Sequence, residues 1–372
     1  MAMAATHDAQ PDRRSRRLLV TGGAGFIGTN FVQYWGRQYP GDRLVVLDAL
    51  TYAGQRHNLS ALASRGAMRF VRGNICDRPL VAEILQAEQI DTVVHFAAES
   101  HVDRSIAAPD EFIQTNVVGT FTLLEACRAY WDNSTVSSQP DPALFLHIST
   151  DEVFGSLAPE ASPCPETHPY APNSPYAATK AGSDHLVRAY QQTYGLPTII
   201  SRCTNNYGPY QFPEKLVPLT CIHILQGQPI PIYGDGQNSR DWLHVSDHCR
   251  ALDRVIHRGQ RGQTYNISSN QETSNLDLVQ QLCALSEKQM PNRPSQPAQQ
   301  LLTFVSDRPG HDRRYALDAS KLKQQLNWQP QITLKAGLRQ TFAWYQQQRD
   351  WWEPLLETLA GPSAPREPRS PQ

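Results

Sequence analysis

From Leu18 onward, short β-branched runs alternate with longer amphipathic stretches: "LLVTG", "FIGTNFVQYWGRQ", "RLVVLDA", "PLVAEILQAEQ", "DTVVHFAAE", "FIQTNVVGTFTLLEACRAYW", "ALFLHIST", "SPYAATKAGSDHLVRAYQQTYG" and "PTIISRC". The runs "LLV", "LVVL" and "TVVHF" are nearly continuously apolar, as strands buried on both faces are. Strand followed by helix, repeated, predicts an α/β fold with a Rossmann-like, doubly wound parallel sheet over residues 18–203. The alternation then lapses. Residues 204–245 are rich in Pro, Gly, Tyr and Asn, the composition of loops and short elements wrapped around a ligand. "TYNIS", "NLDLVQQLCALSE", "KLKQQLNW" and "LKAGLRQTFAWYQQQRDWW" restore strand and helix patterns. They predict a smaller C-terminal α/β lobe, mainly substrate-binding, over residues 204–350, with chain exchange between the lobes allowed for. "DNSTVSSQPDP", after Trp131, reads as a surface loop, and residues 1–17 and 361–372 read as disordered arms.

Composition changes this picture little. A hydrophobic fraction of 40%, a charged fraction of 19% and a net charge of -1 describe an ordinary globular chain without the basic surplus that nucleic-acid binding needs. The seven cysteines are scattered, odd in number and form no C-x-x-C pair, which predicts reduced thiols in a cytoplasmic protein. His244 and His248 are four apart but lack companion ligands, so no metal is expected. No apolar run approaches the roughly 18 residues of a membrane helix. The leader has no hydrophobic core and carries Asp8 and Asp12, unlike a signal peptide.

Candidate chemistry starts at the first strand–helix junction. "LLVTGGAGFIGTNF" places Gly22, Gly25 and Gly28 where a tight turn lets a pyrophosphate approach the open amides of a helix N-terminus. Asp48 ends the next strand, where an acid accepts from a ribose diol and repels a 2'-phosphate, so NAD is favoured over NADP. Phe26 and Ile27 within the fingerprint and Thr51 after the acid join this group. Asn74 and Ile75 of "GNICD" are placed to meet an adenine, and Ala97 and Ala98 of "FAAES" allow close backbone approach.

"YAATK" sets Tyr176 and Lys180 on one helix face. A lysine ammonium near a phenol favours the phenolate, which is expected to lower the Tyr176 pKa from about 10 toward neutrality. The preceding strand ends in "HISTDEVFG", where Thr150 offers a hydroxyl and Asp151 and Glu152 are adjacent acids. An extended strand throws neighbours to opposite faces. The two acids can serve one substrate only if the chain turns there, and Gly155 with the proline-rich "APEASPCPE" beyond makes room for a turn.

With its G-x-x-G-x-x-G and Tyr-x-x-x-Lys motifs the chain resembles the extended short-chain dehydrogenase/reductases. Within them, the T-D-E triplet is similar to that of the nucleotide-sugar 4,6-dehydratases, most closely the branch acting on dTDP-glucose. The likeness runs from about Leu18 to Leu317 through "DALTYAG", "AAESHVDRSI", "STDEVFG", "YAATKAGSDHLVRAY", "NNYGPYQFPEKLVPL", "YGDGQNSRDWLHVSDHCRA" and "DRPGHDRRYALD". It implies a lyase with NAD that oxidises the hexose at C4, eliminates water across C5 and C6, and returns the hydride to C6. Thr150 and Tyr176 then act at C4, Glu152 is the C5 base, and Asp151, kept protonated, is the acid for the departing hydroxyl. The resemblance further implies Glu99, Ser100 and His101 near the sugar, Asn205 and Arg240 at the diphosphate, and Lys215, Asn275, Arg308, His311 and Tyr315 toward the nucleotide. It also implies a homodimer through a helix bundle, and a product used in deoxysugar biosynthesis, rhamnose included. Asn74, Phe154 and His244 depart from the family pattern of Asp, Tyr and Tyr.

Two rivals stay open at this point. A nucleotide-sugar 4-epimerase uses the same fold, NAD and Tyr-Lys pair but needs no T-D-E acids, and a dehydratase for CDP-, UDP- or GDP-hexoses shares them all. A silent NAD-binding scaffold on this fold would have no reason to keep all five catalytic residues.

Overall fold

The computed structural model describes residues 14–134, 143–290 and 297–359. Most of both expected arms, and most of the loop read between Trp131 and Ala143, lie outside the described residues.

Seven parallel strands form one sheet: β1 (Arg17–Thr21), β2 (Arg43–Asp48), β3 (Arg69–Arg72), β4 (Thr92–His95), β5 (Leu144–Thr150), β6 (Thr198–Cys203) and β10 (Thr264–Ile267), in the order β10-β6-β5-β4-β1-β2-β3. Every residue of β4, β5 and β6 is buried, as helices on both faces require. The strand order reverses between β1 and β4. Their carboxyl ends therefore part into the crevice where such sheets take a ligand. The register sets His95 beside His147 and Thr150 beside Cys203.

The chain exchanges between the two regions here. "TYNIS", read as part of the second lobe, supplies β10, which adds to the main sheet beside β6 with Thr264 opposite Ile200. The helix Ser320–Leu326, also read into the second lobe, puts Leu322 and Leu326 into the same core as Tyr265 and Ile267. A parallel neighbour is reached only through a long crossover, so local hydrophobicity cannot say which sheet a strand joins. The crossover ends in the helix Val245–Arg258, which docks on the helix Phe26–Gln38: the Tyr34 and Tyr39 hydroxyls donate to Asp253 at 2.5 and 2.8 Å.

In the second lobe, β7 (Asn205–Tyr207), β9 (Ser239–His244) and β11 (Glu272–Ser274) pair in the order β11-β9-β7, and β8 (Ile230–Tyr233) pairs with β12 (Leu302–Val305). The helices Leu216–Gln226, Asn275–Gln289, Leu334–Gln347 and Arg349–Leu359 close around Tyr207, Cys221, Trp242, Leu282, Phe342 and Trp352. The first of these helices lies where loops were expected. "LVPLTCIHILQ" is apolar almost all round, so it shows no amphipathic stripe to read.

Two helices shape the site. In Pro175–Tyr194, Ser174 Oγ caps the Ala177 amide at 3.1 Å, Pro175 opens the first turn, and Gly195 at φ +67° ends it. "FIQTNVVGTFTLLEACRAYW" is helical throughout but changes pitch, from α over Pro109–Phe112 to π over Ile113–Gly119 and back to α over Thr120–Asp132. Among the described residues no helix is long and apolar enough to cross a membrane.

Candidate active site

The crevice beyond β1 and β4 is a cavity of about 350 Å³. Gly22 leaves β1 at φ +67°, and a Cβ there would lie 2.5 Å from the Ala97 amide nitrogen. A Cβ on Gly28 would meet the Gly22 carbonyl at 2.2 Å, whereas one on Gly25 would meet nothing nearer than 3.4 Å. Gly22 and Gly28 thus allow the close turn, and Gly25 leaves the approach to the helix N-terminus clear. That terminus has neither a side-chain cap nor an acid in its first turn. Its amides are open to an anion.

Asp48 sits at the cavity wall, its carboxylate aimed by the amides of Ala24 at 2.9 Å and Leu50 at 2.8 Å. Phe26, Ile27, Thr51, Asn74, Ile75, Ala97 and Ala98 line the same cavity. Asn74 Oδ1 accepts the Cys76 amide at 2.9 Å, so its amide oxygen is already engaged locally.

At the end of β5 the chain turns. Asp151–Phe154 form a single 3₁₀ turn, capped by Thr150 Oγ1 on the Glu152 amide at 3.3 Å and ended by Gly155 at φ +71°. Thr150, Asp151, Glu152, Tyr176 and Lys180 consequently line one cavity, as the geometry of paired acids demanded. Thr150 Oγ1 donates to Asp151 Oδ1 at 3.1 Å, while Asp151 Oδ2 is buried with no partner among the described residues. Burial, then the neighbouring Glu152 charge, pushes the Asp151 carboxyl up to about 8. Burial also raises Glu152, against the lowering fields of Arg308, Arg240 and Lys215. The two acids are unequal, with Asp151 set to carry the proton near neutral pH.

The expectation for the Tyr-Lys pair is corrected. Lys180 Nζ donates to the Ile148 carbonyl at 2.8 Å, and burial pushes the lysine down to about 8. Burial, with the field of Glu152 next, holds the Tyr176 phenol well above its ordinary value, although Thr150 hydrogen-bonds to it. In the buried pocket desolvation and the fields of Glu152, Cys203 and Asp151 outweigh the Thr150 hydrogen bond.

The substrate-side candidates divide. Glu99, Ser100, Asn205 and Lys215 line the cavity with Thr150. His101, Arg240, Asn275, Arg308, His311 and Tyr315 stand outside this lining. His101 caps the Arg104 amide and faces Glu214 Oε2 at 3.4 Å. Arg240 is buried, stacks over the Tyr315 ring at 4.4 Å and donates to the Asp312 carbonyl at 2.8 Å. Arg308 reaches Asp103 at 3.5 Å, and His311 pairs with Asp307 at 2.6 Å. Asn275 opens its helix, its amide bonded to the Asn238 carbonyl at 3.0 Å. His244 accepts the Ser246 amide and His248 bonds Asn206 Oδ1 at 2.9 Å, so the two rings serve separate partners.

Sequence reasoning missed two residues. Asn116, 1% exposed, holds Glu99 from both sides: its Oδ1 accepts the Glu99 amide at 2.9 Å and its Nδ2 donates to the Glu99 carbonyl at 3.0 Å. Nothing local marks it, because it lies in the π-turn far along the chain. Glu214 accepts the Tyr52 hydroxyl at 2.9 Å and joins the cofactor side to the substrate side. An acid beside Lys215 in "FPEKL" was its one signal.

Comparison with known proteins agrees with this geometry. Residues 19–341 match the family model described as GDP-mannose 4,6 dehydratase. A dTDP-glucose 4,6-dehydratase of Xanthomonas campestris pv. campestris is 52% identical over 339 residues, covering 91% of this chain and 95% of the relative. The crystal structure of dTDP-glucose 4,6-dehydratase from Bacillus anthracis in complex with NAD superposes with a TM-score of 0.81 at 41% identity, over 92% of this chain and all of that one. That of the Streptomyces venezuelae enzyme with NAD bound gives 0.81 at 45% identity, over 91% of this chain and 99% of that one.

Proposed function

The chain belongs to the dTDP-glucose 4,6-dehydratases, and on that premise we propose that it removes one water from dTDP-glucose to give the 4-keto-6-deoxy sugar nucleotide, with NAD as its cofactor. The residues present fit NAD. Side chains at Gly22 and Gly28 would fill the cradle, the helix N-terminus is bare, and Asp48 is held at the wall. Bound there, NAD supplies reversible redox chemistry at the sugar within one turnover.

The roles of the two acids follow from their protonation. Tyr176, having given up its own proton first, takes the C4 hydroxyl proton as the phenolate and so becomes the phenol, with Thr150 hydrogen-bonding the same oxygen and the Lys180 ammonium offsetting the phenolate charge before the transfer. Once C4 is a ketone, the C5 proton is acidic and Glu152 removes it. Asp151 delivers its proton to the C6 hydroxyl, which leaves as water. The observation that carries this reading is the turn at Asp151–Phe154, which sets a neutral acid and a second carboxyl in one cavity with Tyr176. An epimerase has no use for that arrangement.

For the substrate, Glu99, Ser100 and His101 meet the sugar, Asn205 and Arg240 the diphosphate, and Lys215, Asn275, Arg308, His311 and Tyr315 the nucleotide. The fields of Arg308, Arg240 and Lys215 on Glu152 support this, since three cations near that side of the site suit an anionic substrate. The exposed Ile113, Val118 and Phe121 on the helical run Pro109–Asp132 suit a homodimer. Seven free thiols, six of them buried, suit the cytoplasm, where the product would enter deoxysugar biosynthesis such as that of rhamnose.

The test is a panel of dTDP-, UDP-, CDP- and GDP-hexoses with mass analysis of the products. The expected result is loss of one water from dTDP-glucose. Unchanged mass with inverted C4 would replace this reading with a 4-epimerase, and no turnover on any sugar would replace it with a silent scaffold.

A further inference from the structure

Behind Lys180, away from the cavity, the helix Pro175–Tyr194 and strands β4 to β6 enclose a polar array to which the proposed reaction assigns no part. Asp184 lies one helical turn beyond Lys180 and is fully buried. Its Oδ2 accepts from Arg202 Nε at 3.0 Å and from the Tyr170 hydroxyl at 3.1 Å, and its Oδ1 faces His147 Nε2 at 3.4 Å. Arg202 is held in turn by the Tyr170 hydroxyl and by the Glu166 carbonyl at 3.2 Å. Lys180 Nζ rests on the carbonyl of Ile148, the residue that follows His147 on β5. Lys180 and Asp184 therefore face consecutive positions of one strand.

A buried ion pair is a weak source of stability, because desolvation of both charges takes back most of their attraction. Its place here suggests another use. Around Lys180 stand Tyr176 and Asp184, one helical turn to either side on its own helix, His147 on β5, His95 on β4 and Cys203 on β6, with Asp151 and Glu152 lining the same cavity and Arg202 bonded to Asp184. Burial favours the neutral form of most of them: it pushes His147 down to about 4 and Cys203 up to about 12, lowers His95, and raises Tyr176, Asp151 and Glu152. Asp184 is the exception. Although burial would raise it, the nearby His147 ring and the Arg202 charge hold it below the usual carboxylate range. It is the fixed negative charge of the array.

We propose that Asp184, anchored by Arg202 and His147, is a positioning residue that keeps Lys180 an ammonium on the Ile148 carbonyl beside Tyr176. What the Tyr176–Lys180 pair does rests on the dehydratase reading; the charge on Lys180 does not. Burial pushes Lys180 down to about 8 even against the raising field of Asp184. Without that field the ammonium would be lost within the neutral range.

The experiment follows Lys180 itself, by 13C NMR of its ε-carbon, assigned by its absence in Lys180→Met. Asp184→Asn should lower the Lys180 midpoint by about one pH unit or more, the scale of a nearby opposite charge. The alkaline limb of kcat should follow the midpoint down in Asp184→Asn, whereas a merely structural role would lower kcat alike at every pH. If the single variant does not fold, the charge-balanced Asp184→Asn/Arg202→Gln pair decides, with the midpoint again expected to fall. An unmoved midpoint in a folded variant lacking Asp184 would overturn the proposal. Failure of the dehydratase reading would appear separately, as no water loss by the unaltered enzyme.

Discussion

Gly155 passes so close to Ala171 that a Cβ on Gly155 would stand 2.1 Å from the Ala171 carbonyl oxygen. The glycine also holds φ 71° and ψ -167°, a region closed to L side chains. The turn that brings Asp151 and Glu152 together thus depends on a missing side chain. Gly155→Ala should cost about 1–3 kcal/mol of stability through strain alone, with the clash added, and should lower dehydration further by misplacing both acids. Thermal unfolding and turnover measure the two effects. Unchanged values for both would mean that the turn tolerates a side chain.

The two acids should separate in solvent deuterium. Glu152→Gln should abolish incorporation at C5 and slow product formation by at least ~100-fold, the usual scale for loss of a general base. Asp151→Asn should still exchange C5, so recovered dTDP-glucose would carry deuterium while water loss is slowed. Exchange persisting in Glu152→Gln would move the base to another residue.

Asp151 also ties stability to pH. Its folded pKa of about 8 lies above its ordinary value of 3.8. The neutral acid therefore stabilises fully below 3.8, and that contribution is lost as pH rises through about 8. Asp151→Asn, which cannot ionise, should gain on the parent as pH rises, with a Tm difference larger by ~2 °C or more at about pH 9 than at about pH 6. A Tm difference independent of pH would show that Asp151 does not titrate in this range.

Much of the fold and site could be read from the chain because the signals are local. "LLVTGGAGFIG", "STDEVFG" and "YAATK" each hold their chemistry within one strand end or one helical turn, and strands β1 to β6 follow one another at βαβ spacing. What could not be read depends on pairing across distance. β10 joins β6 after a crossover of sixty residues, too long for local pattern to assign the strand to a sheet. The helix Leu216–Gln226 is apolar almost all round and so lacks the stripe that marks a helix. The Tyr176 pKa went the other way because burial is a three-dimensional quantity. Nothing local marks Asp184 or Arg202, because only the packing of helix on strand brings them together beside His147.

Asn116 gives the last prediction. The π-turn over Ile113–Gly119 shifts the helix phase, and Asn116 within it faces Glu99 and the Thr179 hydroxyl, which its Nδ2 reaches at 2.9 Å. Isolated π-turns are costly and tend to persist at functional sites. Here one fixes the backbone on which Glu99, Ser100 and His101 are mounted. Asn116→Asp keeps the shape and the acceptor for the Glu99 amide but cannot donate to the Glu99 carbonyl. It leaves that carbonyl and a carboxylate buried, at a cost of about 1–3 kcal/mol or more. Asn116→Ala removes both contacts. Both variants should raise KM for dTDP-glucose more than they lower kcat, because Thr150, Asp151, Glu152 and Tyr176 sit on other elements. Steady-state kinetics beside thermal unfolding checks this: a fall in Tm with KM unchanged would make Asn116 a structural clamp with no hold on the sugar side.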